Sequence, residues 1–340
     1  VTEGIWHGGD LARARAQFPD APKPWIDLST GINPIPYPLP ALPLSLWQRL
    51  PGADDEAALL AAARKAYRVP AGAGTIAAPG TQILIDLLPR VLPDLVSAGP
   101  VAVLGPTYAE HAQAWRKAGA DVAEAMTPAD TMQAASIVVV NPNNPDGRCL
   151  PAGELAAMAA RCAGRGGMLI LDEAFCDFTP EASLLPALPP ATIVLRSFGK
   201  TYGLAGVRLG FAIGDGGAVA ALQAAMGPWA VAGPALAIGA QALADTEWLA
   251  QAEAARAADA ARLDALLSPL GRVVGGTTLF RLLATPAAPA LFAHLGRQGI
   301  YVRRFQNDAT WLRFGLPGNA AGWERLEAAM PSAVLLSQRA

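Results

Sequence analysis

The residues best equipped for chemistry are Lys200, in the stretch Ser197-Phe198-Gly199-Lys200, Arg208 shortly after it, and Asp172, which closes an apolar run upstream. An amine, a guanidinium and a carboxylate in this arrangement suggest a reactive lysine beside an anion site. A lone lysine after a small turn is ordinarily a solvated surface group, so its neighbours carry the argument. Met168-Leu169-Ile170-Leu171 has the length and apolarity of a buried parallel strand, and it delivers Asp172 at its carboxyl end. Thr192-Ile193-Val194-Leu195 is a second such run, ending just before Ser197. Ligands of open α/β sheets bind at that edge, so carboxylate and amine can face one cavity.

The elements that must position these groups follow from the rest of the pattern. Pro34, Pro36, Pro38 and Pro40 forbid a regular helix around them, and residues 1–40, rich in proline and glycine, read as an extended arm associated with a smaller C-terminal domain. Helical patterning begins near Ala53. Thr75–Ala78, Val101–Leu104, Ile137–Val140, Met168–Leu171 and Thr192–Leu195 then alternate with helical stretches, the signature of βαβ units and a mainly parallel sheet. This places a large α/β domain over 41–225. Residues 226–340 read as a smaller α/β domain, with a helix over Ala250–Leu267 and strands at Thr278–Leu283, Ile300–Arg303 and Trp311–Phe314. The apolar stretch Met226–Ala244 is interrupted by Pro228, Gly233, Pro234, Gly239 and Gln241, and reads as a loop and a buried helix rather than a membrane span.

Composition limits the function classes. The chain has 340 residues, 52% hydrophobic and 16% charged, which suits a soluble globular protein with one large core or two domains. A net charge of -2 and the lack of any basic run argue against a nucleic-acid partner. Cys149, Cys162 and Cys176 are odd in number and lack CxxC spacing, so neither a disulfide framework nor a zinc site is expected. The first residues lack a basic-then-apolar signal pattern, and a reducing cytoplasm is the expected setting.

Gly80-Thr81-Gln82 follows one strand and opens the apolar helical stretch Ile83–Leu88, so its N–H groups and hydroxyl sit where a helix N-terminus can hold a phosphate. A plain threonine cap would look the same. Asn141-Pro142-Asn143-Asn144-Pro145-Asp146-Gly147 is likewise an ordinary turn sequence in isolation. Taken in order with Asp172-Glu173-Ala174-Phe175, Ser197–Lys200 and Gly206-Val207-Arg208-Leu209-Gly210, these motifs resemble the fold type I pyridoxal-5′-phosphate enzymes, in the branch that holds histidinol-phosphate aminotransferases and threonine-phosphate decarboxylases. The resemblance spans essentially the whole chain.

It implies a large domain built on a mainly parallel seven-stranded sheet plus the smaller C-terminal domain, working as a homodimer. It also implies that Lys200 forms a Schiff base with the cofactor and later shuttles a proton, and that Asp172 pairs with the pyridinium nitrogen. Asn144 would donate to the ring phenolate oxygen and Tyr108 would stack on the ring. Gly80, Thr81, Gln82, Ser197 and Arg208 would surround the phosphate, with Arg208 as its charged partner. Phe175 stands where many relatives have tyrosine, Gly199 where aminotransferases commonly have serine, and Leu50-Pro51 where relatives often have Tyr-Pro. Each departure removes a hydroxyl.

The bond to be broken depends on how substrate is anchored, because electrons enter the ring only from a bond held perpendicular to it. By resemblance, Arg303 and Arg313 contact substrate, Arg313 at the α-carboxylate. Arg304 reads as a residue facing water, and His111 and His294 as surface or packing residues. His7-Gly8-Gly9-Asp10 and Ser29-Thr30-Gly31-Ile32-Asn33-Pro34 resemble the opening of cobalamin-pathway threonine-phosphate decarboxylases. There His7, Gly8 and Asn33 would meet a phosphorylated substrate, glycine allowing close backbone approach. The implied reaction is decarboxylation of L-threonine O-3-phosphate without a metal, with product passing to a cobalamin-synthesis partner enzyme. The competing expectation is a histidinol-phosphate-type aminotransferase using 2-oxoglutarate. Asp10 replaces a frequent asparagine, and a charge there would oppose phosphate unless it points away.

Overall fold

A computed structural model describes residues 5–337. Its strands are β1 (Ile26–Leu28), β2 (Gly74–Ala78), β3 (Val101–Leu104), β4 (Val122–Ala125), β5 (Ser136–Val140), β6 (Leu169–Asp172), β7 (Thr192–Ser197), β8 (Gly210–Gly214), β9 (Arg272–Thr277), β10 (Phe280–Ala284), β11 (Ile300–Arg304) and β12 (Trp311–Gly315). The chain divides into two compact units: residues 1–35, 145–147 and 250–340 form one, and residues 36–144 and 148–249 the other.

The larger unit holds a seven-stranded sheet of order β2-β8-β7-β6-β5-β3-β4, parallel except where β8 runs against β2 and β7. Strands β5 to β8 are buried along their whole length, as expected of a sheet covered on both faces. Alternate residues feed two separate cores. Ile137, Val139, Leu169, Leu171 and Val194 pack on one face. Val138, Ile170, Ile193 and Leu195 pack on the other.

The covering helices follow the same logic. Helix Ala152–Ala163 buries Leu155, Met158, Ala159 and Cys162, a three-and-four spacing that makes one apolar stripe. Helix Ala53–Ala66 carries Asp54, Asp55 and Glu56 in its first turn and Arg64 and Lys65 in its last, which complements the helix dipole. Helix Gly233–Ala244 is the expected buried element after a loop, with proline in its first turn. It and helix Gly216–Met226 both belong to the larger unit. The division therefore falls after Leu249, later than composition suggested, because an alanine-rich helix cannot be assigned to either core by its sequence.

The smaller unit has a five-stranded sheet of order β1-β11-β12-β10-β9, with β1 parallel to β11 and the other pairs antiparallel. Its core gathers Leu28, Leu263, Leu267, Leu291, Phe292, Leu295, Leu312 and Phe314. The first forty residues are not simply an extended arm: they include helix Leu11–Gln17 and β1, both ahead of the proline run that suggested the arm. No helix among the described residues is long and apolar enough to cross a membrane.

Candidate active site

The sheet edge brings the expected cofactor residues together within the larger unit. Asp172 ends β6 and is paired in register with Val140 of β5 and Leu195 of β7. The Asn141 N–H donates to the Asp172 carbonyl at 2.8 Å, which starts the Asn-Pro-Asn-Asn turn at that edge. The turn is then locked to the loop after β3: the Thr107 hydroxyl donates to Asn143 Oδ1 at 2.6 Å, Asn143 Nδ2 donates to the Pro106 carbonyl, and Arg148 donates to the Gly105 carbonyl. Asn144 thereby holds a fixed, half-buried place.

Asp172 is nearly fully buried. Its Oδ1 accepts from the Ala174 N–H at 2.9 Å, and its Oδ2 shares a 2.9 Å hydrogen bond with His111 Nε2. His111 is therefore not a surface or incidental packing residue, as its sequence position suggested, but the partner of the buried acid. The available signal was spacing. His111 lies three residues after Tyr108, and helix Ala109–Lys117 carries it inward with Ala112 and Trp115. The Tyr108 hydroxyl donates to Gln82 Oε1 at 2.9 Å, so Gln82 orients the tyrosine, whose ring meets His111 edge-on.

Ser197 ends β7, and Lys200 follows in the short helix Phe198–Thr201. Lys200 Nζ lies 5.8 Å from the centroid of the Phe175 ring, so the residue lacking a hydroxyl offers an aromatic face to the amine. Gly199 is required by contact: a Cβ there would come within 2.7 Å of the Ala205 Cα, which explains why serine does not stand at this position. Gly80 has φ +87°, and its missing Cβ would lie 2.5 Å from Arg208 Nη2. The Arg208 guanidinium thus sits at the N-terminus of helix Thr81–Val91, where charge and unpaired N–H groups favour a phosphate.

Behind this edge lies a second buried constellation that the sequence did not disclose. Arg196 donates to Glu173 Oε2 at 2.8 Å and to Asp177, and its guanidinium lies 4.3 Å from the centroid of the Tyr67 ring. Glu173 also accepts from Ser183 Oγ and the Leu184 N–H. Glu173 and Arg196 neighbour Asp172 and Ser197 in sequence, so strand alternation turns them to the opposite side of the sheet. They brace the two strand ends that carry the reactive groups.

The smaller unit collects the expected substrate residues. Arg303 of β11 and Arg313 of β12 are Cα partners across the antiparallel pair. Arg313 is buried and donates to the Ser29 carbonyl at 2.9 Å. Burial, then the charge of Arg303, pushes the Arg313 guanidinium down to about 9, while Asp27 opposes the shift. Two like charges placed opposite one another, one of them buried, form a seat for an anion.

Ser29 also holds the N-terminal motif. Its Oγ accepts from the Gly9 N–H at 2.7 Å, and a Cβ on Gly8 would fall 2.2 Å from its carbonyl oxygen, so only glycine fits there. Asp27 Oδ1 accepts from both the N–H and the hydroxyl of Ser29. Asp10 caps helix Leu11–Gln17, accepting from the Arg13 N–H at 2.9 Å, which a replaced asparagine would also do. Asn33 is buried, and its Oδ1 accepts from the Ile35 N–H and from Arg256. Arg303 donates to the Trp6 carbonyl. Arg304 does not simply face water, because its guanidinium stacks 3.9 Å from the centroid of the Phe292 ring. His294 is a packing residue, bonded to the Ala329 carbonyl at 3.1 Å.

This combination of a doubly wound sheet, a lysine and a buried acid at one edge, and a helix N-terminus beside an arginine defines a class. A family profile for aminotransferase class I and II matches residues 52–329, and the chain belongs to that family. Its cofactor is pyridoxal 5′-phosphate, which the residues of this edge fit: Asp172 offers a fixed buried carboxylate and the Gly80–Arg208 cradle an anion seat. Among relatives, the chain is 43% identical to the threonine-phosphate decarboxylase of Pseudomonas aeruginosa over 329 residues, 95% of this chain and 96% of that one. It is 42% identical to the threonine-phosphate decarboxylase of a Sinorhizobium species over 332 residues, 96% and 97% of the two chains. Its fold is shared with the histidinol-phosphate aminotransferase of Sinorhizobium meliloti in complex with pyridoxal-5′-phosphate, with a TM-score of 0.81 at 20% identity, covering 98% of this chain and 99% of that one.

Proposed function

We propose that the chain is a pyridoxal-phosphate-dependent carboxy-lyase converting L-threonine O-3-phosphate to (R)-1-aminopropan-2-yl phosphate and carbon dioxide, on the aminopropanol route to cobalamin. The observation that carries this reading is the near-full-length similarity to threonine-phosphate decarboxylases. The close approach of Gly8 and Gly9 to Ser29, whose carbonyl also accepts from Arg313, supports it.

The bound cofactor supplies an electron sink for the pair released as the carboxylate leaves. Asp172, held by His111 and the Ala174 N–H, keeps the ring nitrogen protonated. Asn144 would donate to the phenolate oxygen, Tyr108 would cover the ring, and Gly80, Thr81, Gln82, Ser197 and Arg208 would surround the phosphate; Gln82 also fixes Tyr108. Lys200 would hold the cofactor and is the group that would deliver a proton to the α-carbon. Arg313 takes the α-carboxylate, and so selects the bond that breaks. Arg303, His7 and Gly8 take the substrate phosphate, and Asn33 shapes their loop through Ile35 and Arg256.

The enzyme works as a cytoplasmic homodimer and hands its product to a cobalamin-synthesis enzyme. Exposed Leu39, Leu44, Trp47 and Leu50 support the dimer, since so apolar a stretch favours a covering partner. Holoenzyme incubated with L-threonine O-3-phosphate should release carbon dioxide stoichiometrically with substrate loss and without 2-oxoglutarate. Turnover that depends on 2-oxoglutarate, forms glutamate and releases no carbon dioxide would instead establish the aminotransferase.

A further inference from the structure

Two irregular loops of the larger unit carry groups that would meet the cofactor ring. Residues 105–108 join β3 to helix Ala109–Lys117 and include Tyr108; residues 141–151 leave β5 and include Asn144. One amide joins them. Asn143 is fully buried, and its side chain meets consecutive residues of the other loop: Nδ2 donates to the Pro106 carbonyl at 2.9 Å, and Oδ1 accepts from the Thr107 hydroxyl at 2.6 Å. A carbonyl can only accept, so the Pro106 oxygen fixes which way the amide points, and the Thr107 hydroxyl must then be the donor. The Asn143 N–H donates to the Arg148 carbonyl at 2.8 Å and closes the turn around Asn144, while the Arg148 guanidinium donates back to the Leu104 and Gly105 carbonyls.

The pairing has a consequence for the ring. Thr107 immediately precedes Tyr108, and Asn143 immediately precedes Asn144, so one hydrogen bond ties together the backbones that aim both groups. A contact serving stability alone could be apolar, whereas a buried polar pair with matched donors and acceptors specifies one geometry. We propose that Thr107 and Asn143 are positioning residues of the cofactor site: their hydrogen bond sets the place of Asn144 against the ring, and through it the proton affinity of the lysine-bound cofactor. This rests on the reading in which Asn144 donates to the phenolate oxygen.

A spectroscopic pH titration of the cofactor-saturated enzyme tests this. A donor at the phenolate oxygen favours the state in which that oxygen bears its full charge instead of sharing the proton of the lysine nitrogen. Loosening the donor therefore raises the pH at which the visible absorption of lysine-bound cofactor gives way. Thr107→Val keeps the shape and removes the hydroxyl, and the midpoint should rise by about half to one pH unit, the range set by one hydrogen bond. Thr107→Ser restores the hydroxyl and should return the midpoint to that of the unsubstituted enzyme. Asn144→Ala should shift it at least as far as Thr107→Val, and the double variant no further than Asn144→Ala alone, because the two residues act in series. A hydrogen bond that only stapled the loops would lower the melting temperature of the cofactor-free protein and leave the midpoint in place. An unmoved midpoint in Thr107→Val, or shifts that add in the double variant, overturns the proposal. An unmoved midpoint in Asn144→Ala refutes the phenolate contact and this route with it, a failure distinguishable from the first because the Thr107 hydroxyl is intact.

Discussion

The two units arrange the charges at their candidate sites differently. In the seven-stranded unit, Asp172 is matched by His111, and Arg196 by Glu173 and Asp177, so each buried charge has a countercharge or hydrogen-bond donor built into the fold. In the five-stranded unit, Arg303 and Arg313 face each other across a strand pair, and Arg13 and Arg304 flank one tryptophan. Arg313 donates to the Ser29 carbonyl, a dipole rather than a full charge. A site for a resident cofactor can be set with its own charges balanced, because only the orientation of fixed groups must be preserved. A site for an anionic substrate benefits from guanidiniums gathered on neighbouring strands, whose field draws the ligand in.

The largest expected effect separates chemistry from scaffold in the first unit. Lys200→Ala should abolish turnover and the visible absorption of lysine-bound cofactor, while changing the melting temperature of the cofactor-free protein little, since the lysine is half-exposed. Residual decarboxylation comparable to the unsubstituted enzyme would remove Lys200 from its role and leave the comparison without a reactive centre on that side.

The next effect is on stability. Arg196→Met leaves Glu173 and Asp177 as buried carboxylates without their cation, and breaking such a pair from one side typically costs about 3–5 kcal/mol. Arg303→Met in the ligand-free protein removes a charge that stands against Arg313, so its cost should be far smaller, within about 1 kcal/mol of the unsubstituted protein. Denaturant titration of the two variants measures both. Equal losses would mean that Arg303 is held as firmly within the smaller unit as Arg196 is within the larger.

Much of this contrast could be read from the chain. Short apolar runs located β2, β3, β5, β6 and β7, because fully buried parallel strands need continuous hydrophobicity, and the reactive residues sat at their ends. The strands that escaped notice include β4, β8 and β9, which read Val-Ala-Glu-Ala, Gly-Phe-Ala-Ile-Gly and Arg-Val-Val-Gly-Gly-Thr, with alanine and glycine too neutral to mark a period. β1 hid among prolines for a similar reason. Arg196 was illegible because its meaning depends on a partner 23 residues away, and His111, whose partner is 61 residues away, was marked only by its spacing from Tyr108. Arg304 was misread because strand alternation turned it away from Arg303 onto Phe292, a contact that only tertiary packing creates.

The smallest effect is in pH dependence. Arg313 has its proton affinity lowered to about 9 by burial and by Arg303. Its charged form is therefore the disfavoured one in the ligand-free fold, and a bound carboxylate, which favours the charged form, must raise its pKa again. Linkage then fixes the sign. Below about 9 the guanidinium is protonated and would pair with a substrate carboxylate as proposed; as pH rises through about 9 the free enzyme loses that proton, and binding must restore it at growing cost. KM for the phosphorylated substrate should accordingly rise above pH 9, by up to about tenfold for each pH unit. Asp27→Asn removes the carboxylate that holds the charge on Arg313, and should move the rise to lower pH. A KM that stays flat through pH 9 in both proteins would show that Arg313 keeps its proton across this range, and would remove the electrostatic contrast drawn between the two sites.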